Sequence, residues 1–118
     1  MRNDKDNLIV RLTLEFSLMI IEYVEVLEAH KKYVVANQLL KCGTSIGANV
    51  REAQNAESKA DFVHKMKIAA KEADETDYWL TICRLAPSYP KFDELLQTKL
   101  DDIVNVLSKI ISSSKASK

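Results

Sequence analysis

Apolar residues recur along this chain at the three- and four-residue intervals of a helix face, with no sustained alternation of the kind a strand would give. The first such stretch predicts a helix from about Thr13 to Ala29. There Phe16, Leu18, Met19, Ile20, Tyr23, Val24, Val26 and Leu27 make a broad apolar face, and Glu15, Glu22, Glu25 and Glu28 share the opposite one. A second helix is expected from near Val34 to about Gln54, with Leu39, Gly43, Ile46, Val50 and Ala53 on a 4-3-4-3 seam. The third opens on Ser58, with Asp61 three residues on in a capping-box arrangement. It carries Phe62, Met66, Ala69, Ala73, Thr76, Leu80 and Cys83 on one stripe, widened by Trp79, Ile82 and Ala86. Pro87 and Pro90 end it near Ala86. A fourth, about Phe92 to Ile111, aligns Leu96, Leu100, Ile103, Leu107 and Ile110.

Four amphipathic helices with short connections predict an all-α fold, an antiparallel up-and-down four-helix bundle forming one domain over residues 1–118. Leu8-Ile9-Val10 either extends the first helix or belongs to an extended arm over residues 1–11. Residues 112–118, three serines, two lysines, one alanine and a further serine, read as a frayed tail. Composition agrees with this picture. Two Gly and two Pro leave little turn material, and 47% apolar with 29% charged residues fits neither a disordered nor a membrane-embedded chain. No apolar run approaches the roughly 20 residues of a membrane span, so no membrane partner is expected. Acids at the N-terminus stand where a secretory signal has its basic region, which makes the cytoplasm the expected location.

Catalytic constellations are absent from the sequence pattern. Cys42 and Cys83 fall within apolar helical stretches and read as buried small hydrophobes. A di-iron bundle needs two Glu-x-x-His pairs and further carboxylates, and here only Asp61-x-x-His64 approaches the spacing, since Leu27 precedes His30. No metal or cofactor is therefore expected. HEPN-type ribonucleases place an Arg four to six residues before a His, and neither His30 nor His64 has one. Ser45, Thr44 and the cysteines lack a base within a helical turn, and both glycines sit inside a helix rather than in a phosphate-binding loop. A non-enzymatic protein is the expectation.

Gly43 and Gly47 each cost a helix about 1 kcal/mol relative to Ala. Their common face implies close approach of another helix, from this chain or another subunit. Ser45, Asn49 and Glu52, with Glu72, Glu75, Thr76 and Asp77 on the third helix, are expected to hydrogen-bond across the two helices where buried, the alternative being a ligand site. Charge is balanced, 17 bases against 17 acids, which removes the bulk argument for phosphate binding. Residues 12–30 nevertheless carry four acids and no base, and residues 31–71 carry eight bases against three acids. Lys31, Lys32, Lys41, Arg51, Lys59 and Lys65 are the candidate phosphate contacts of that basic middle, and a solvated helix face is the alternative.

The run Gln38-Leu39-Leu40-Lys41-Cys42-Gly43-Thr44-Ser45-Ile46-Gly47-Ala48-Asn49-Val50-Arg51-Glu52-Ala53 resembles the second-helix signature of the bundle proteins associated with intervening sequences in bacterial 23S ribosomal RNA genes. Ile68-Ala69-Ala70-Lys71-Glu72-Ala73-Asp74-Glu75-Thr76-Asp77-Tyr78-Trp79-Leu80 resembles their third-helix signature, and the resemblance spans essentially the whole chain. That family is similar in turn to the accessory proteins of diversity-generating retroelements. The resemblance implies a ring-like homo-oligomer, a pentamer, without catalysis of its own. From the retroelement relatives it implies binding of RNA or DNA and of a reverse transcriptase. By the same resemblance Ser45, Asn49, Glu52, Glu72 and Glu75 are helix-pairing positions, and Gly43, Gly47 and Trp79 join them as expected packing or oligomer-face residues.

Overall fold

The computed structural model describes residues 7–116, which form four α-helices: α1 Leu8–Ala29, α2 Tyr33–Ala53, α3 Lys59–Leu85 and α4 Glu94–Ala116. A helix of 22 residues is about 33 Å long, and a three-residue connection reaches only about 11 Å. The connection over residues 30–32 and the five-residue one over 54–58 therefore reverse the chain. The third, over 86–93, stays beside the first turn, since Lys32 lies over the Tyr89 ring and Tyr23 of α1 donates to the Pro90 carbonyl at 2.6 Å. Each helix packs along two neighbours, α1 on α2 and α4, α3 on α2 and α4, and the diagonal helices meet only through side chains in the core. The result is an antiparallel up-and-down bundle, 50 Å long and 22 by 21 Å across.

Local signals set the helix ends. Asn7 accepts from the Val10 N–H and donates to Gln54 at 2.8 Å, tying the start of α1 to the end of α2. Leu8-Ile9-Val10 are the first turn of α1, with Ile9 and Val10 buried, so the arm alternative fails for residues 8–11 and its first six positions lie outside the described residues. Ser58 accepts the Asp61 N–H at 3.0 Å as the spacing predicts, and the Asp61 carboxylate accepts from the Glu57 N–H at 3.2 Å. Asp93 accepts from the Leu95 N–H at 2.9 Å at the start of α4. That helix continues past Ile111 to Ala116, so the tail expected to fray is helical as far as the structure describes it, with Ser117 and Lys118 outside the described residues.

α1 ends on a Schellman turn. The Lys31 N–H donates to the Glu28 carbonyl and the Lys32 N–H to the Leu27 carbonyl, each at 2.9 Å, with Lys31 at φ 63°. This left-handed position favours glycine, and a lysine there carries about 1 kcal/mol of strain.

Both glycines of α2 face α1 at close range. A Cβ on Gly43 would meet Cγ1 and Cγ2 of Ile20 at 3.0 Å, and one on Gly47 would meet Thr13 at 3.3 Å. The glycine face thus packs against α1 of the same chain. Thr13 is buried there because its hydroxyl already bonds the Ile9 carbonyl at 2.8 Å in its own helix.

Two stability changes follow. Gly43→Ala returns about 1 kcal/mol of helix propensity but overpacks the buried Ile20, a cost of about 1–3 kcal/mol, so urea melts are expected to show a net loss near 1 kcal/mol. Gly47→Ala faces a looser contact and is expected to stay within about 1 kcal/mol of neutral. Equal losses in the two variants would contradict the packing asymmetry. Lys31→Gly is expected to gain about 0.5–1 kcal/mol by removing left-handed strain, read as a rise in the urea midpoint at unchanged slope.

Candidate functional site

The contiguous basic segment of the sequence does not stay contiguous in space. α2 separates Lys31 and Lys32 from Arg51, Lys59 and Lys65 by about 30 Å, placing the two groups at opposite ends of the bundle, with Lys41 exposed on α2 between them. Charge is instead polarised along the bundle axis. The half built from residues 7–18, 44–72 and 105–116 holds eight bases and five acids, and the half built from 19–43 and 73–104 holds six bases and ten acids.

Four of the six bases in the acidic half are engaged by neighbouring groups, and Lys31 and Lys41 are exposed. Lys32 lies 5.0 Å from the Tyr89 ring centre, and the Arg84 guanidinium lies 4.9 Å from that of Phe92 while it bonds Glu94 and Gln97. Lys91 donates to the carbonyls of Cys83, Arg84 and Ala86 at 3.1, 3.0 and 2.7 Å, satisfying the open end of α3. Lys99 pairs with Glu15 of α1 at 2.7 Å, and that hydrogen bond holds the Glu15 carboxyl below its ordinary pKa.

The basic end is arranged differently. Lys59, Ala60, Val63, His64 and Lys67 of α3 and Lys115 of α4 line one surface depression of about 410 Å³. Next to it along the α3–α4 groove lies another, of about 390 Å³, lined by Ala70, Val104, Ser108, Ile111 and again Lys115. Arg11 on α1, Arg51 in the last turn of α2 and Lys109 on α4 are exposed at the same end. Of the bases here, Lys65 is engaged by Glu52 at 2.9 Å, and that hydrogen bond raises its pKa. Three of the six residues expected as phosphate contacts, Arg51, Lys59 and Lys65, reach this end. Sequence reading missed Arg11, Lys67, Lys109 and Lys115 as members of it. The signal for them was topological, because an antiparallel order places the start of the first helix and the end of the fourth beside the second connection.

The polar residues of the two signature helices are arranged more locally than expected. Asn49 donates to the Ser45 carbonyl and hydroxyl at 2.9 and 3.1 Å within α2, and the Trp79 indole donates to Glu75 at 3.3 Å within α3. The buried Thr76 hydroxyl donates to the Glu72 carbonyl at 2.7 Å, and Asp77 accepts from Gln97 of α4 at 2.9 Å. Across α2 and α3 the connections are Glu52 to Lys65 and the Cys42 thiol facing the Thr76 hydroxyl, a thiol whose pKa burial pushes up. The expected network between the two helices is thus replaced mainly by i to i+4 bonds, because a side chain four residues away lies on the same face. Burial likewise raises the Cys83 thiol and the Tyr23 hydroxyl, which face each other across α1 and α3. His30 at the end of α1 and His64 are exposed, and among the described residues no three His, Cys, Asp or Glu side chains gather as a metal site requires.

Among solved structures, a protein of unknown function from the S23 ribosomal protein family of Bacteroides thetaiotaomicron is similar to this chain, with 38% identity over 87% of this chain and 97% of that one, and a TM-score of 0.76. A comparison with curated proteins gave no match. The family model of the 23S rRNA-intervening sequence protein matches residues 5–113. With that match covering nearly all four helices, the chain belongs to the 23S rRNA-intervening sequence protein family.

Proposed function

We propose that this protein is a non-enzymatic, self-associating bundle that serves as an adaptor for nucleic acid, held through phosphate contacts at its basic end. The observation that carries the reading is the convergence of Lys67 with Lys115 and Lys59 on one depression from two helices far apart in sequence. Arg11, Arg51 and Lys109 are exposed at the same end of the bundle, Arg51 beside the α1–α2 hollow on its other side. At the opposite end Lys32, Arg84 and Lys91 are engaged by aromatic rings and helix carbonyls, while Lys31 is exposed. Three bases around one depression are modest alone. Repetition around a ring of subunits, five by the family resemblance, multiplies them through effective concentration, which reconciles a neutral chain with phosphate binding.

A second reading keeps self-association and replaces nucleic acid with a protein partner, such as a reverse transcriptase by the same resemblance. The exposed apolar residues of α1, with Leu14 and Leu18 more than half accessible, favour it.

Fluorescence anisotropy of labelled RNA hairpin and DNA duplex against salt separates the two. The nucleic-acid reading expects a log–log slope of about −0.9 per phosphate contacted, and a slope shallower by about 2 in the Lys67→Glu/Lys115→Glu variant. Lys31→Glu/Lys32→Glu should leave the slope unchanged, because those residues sit at the other end. Salt-independent affinity, or equal losses in both variants, would refute phosphate contact at this end and favour the protein partner.

A further inference from the structure

Among the residues that line the basic depression, His64 is of the one type whose charge ordinarily changes near neutral pH. It lies one helical turn from both Ala60 and Lys67 on α3, with Lys115 of α4 across the depression. The imidazole is exposed, and among the described residues neither ring nitrogen bonds a protein group. The other histidine differs on both counts of place and use. His30 stands at the opposite end of the bundle, with its Nδ1 2.9 Å from the Val26 carbonyl. Asp61, three residues before His64, accepts from the Glu57 N–H at 3.2 Å as part of the cap of α3. The charged groups around the imidazole are therefore Lys59, Asp61 and Lys67 on its own helix and Lys115 from α4, three cations and one anion. On the α2 side Lys65 and Glu52 pair with each other at 2.9 Å and add no net charge.

We propose that His64 is a phosphate ligand in this depression and binds in its charged form, so that nucleic acid docking there takes up a proton. This rests on the nucleic-acid reading above and adds to it a residue and a linkage. Lys59, Lys67 and Lys115 belong to a residue type that stays charged on both sides of neutrality, and they draw a phosphodiester in at any such pH. A phosphate held among them lies beside the imidazole, and a neighbouring anion favours the protonated ring. That ring offers two N–H donors and a full charge, where the neutral one offers a single donor. The imidazole with phosphate beside it keeps its proton to higher pH than the imidazole without. This part of the affinity is therefore complete on the acid side and is lost as pH rises.

Anisotropy titrations of a labelled DNA duplex with the full-length protein, at about pH 5.5 and about pH 8 and over a range of salt, read the linkage. The unsubstituted protein is expected to bind about three- to tenfold tighter at the lower pH, the effect of one phosphate charge on an accessible imidazole. Its log–log salt slope should be steeper there by about 0.9, one further phosphate contact. His64→Gln, polar but unable to take the proton, should bind at both values as the unsubstituted protein does at the higher one. His64→Lys should bind tightly at both, with the steeper slope. His30→Gln should keep the full pH dependence, and circular dichroism at both values checks the fold of each variant. Salt-dependent binding that is the same at both pH values, or a pH dependence undiminished in His64→Gln, overturns the role of His64 and leaves phosphate contact at this end standing. Absence of binding at either pH overturns both.

Discussion

The backbone-close contact between α1 and α2 governs the rest of the bundle. Gly43 accepts Ile20, and Gly47 accepts Thr13, where a Cβ on α2 would press on α1, hard at Gly43 and lightly at Gly47. α2 passes the same economy to its other neighbour, since α3 presents Ala69 and Ala73 at buried positions on its seam. Three helices thereby pack as a tight layer. α4 closes the square with Leu96, Leu100, Ile103 and Leu107 and stands farther from α1 and α3 than α2 does. Two glycines inside a helix reduce its intrinsic stability, and the burial they permit offsets that. The cost therefore remains where the sequence shows it, and the compensation appears only across the interface.

Chain direction then distributes the charge. Consecutive helices reverse, so residues adjacent in sequence across a whole helix are divided between the two ends, and residues at the start of the first helix meet those at the end of the fourth. The basic middle of the sequence becomes two separate groups, and a basic end assembles from α1, α2, α3 and α4 together. Acidic and basic ends also differ chemically. Tyr23 and Phe92 meet edge to face at 5.4 Å on the acidic end, beside Lys32, Arg84 and Lys91, which hold the long third connection in place. Cations used this way are unavailable for a ligand.

Helix number, capping at Ser58, the proline break after α3 and the core seams were all legible, because each rests on spacing within one segment. Leu8 and the α4 tail were less so. Their helicity depends on what covers them: Ile9 and Val10 are buried by neighbouring helices, and Asn7 is tied to Gln54 forty-seven residues away. The candidate site was half legible. Arg51, Lys59 and Lys65 were identified from local charge density, whereas Lys115 enters only through tertiary topology. Lys32 stands at the other end of the bundle beside Tyr89, a neighbour distant in sequence. The polar residues of α2 and α3 were expected to pair across helices, and Asn49 instead found Ser45 one turn away, a shorter reach with less side-chain entropy to lose.

The two seams of α1 show how one helix can be specified twice. Its inner seam repeats at 9, 13, 16, 20 and 23, and its outer one at 11, 14, 18, 21 and 25, so that the acids expected to share its solvent face are interrupted by Leu14, Leu18 and Ile21. A monomeric bundle needs only the inner set, because one apolar stripe of about 100° suffices to bury a surface helix. Folding of the monomer does not use the outer leucines. Exposed Glu15 and Glu22 stand one turn to either side of Leu18 there, with Glu15 held by Lys99. The axial charge sets a further condition, since like-oriented neighbours packed side by side bring basic end to basic end, which costs Coulomb energy.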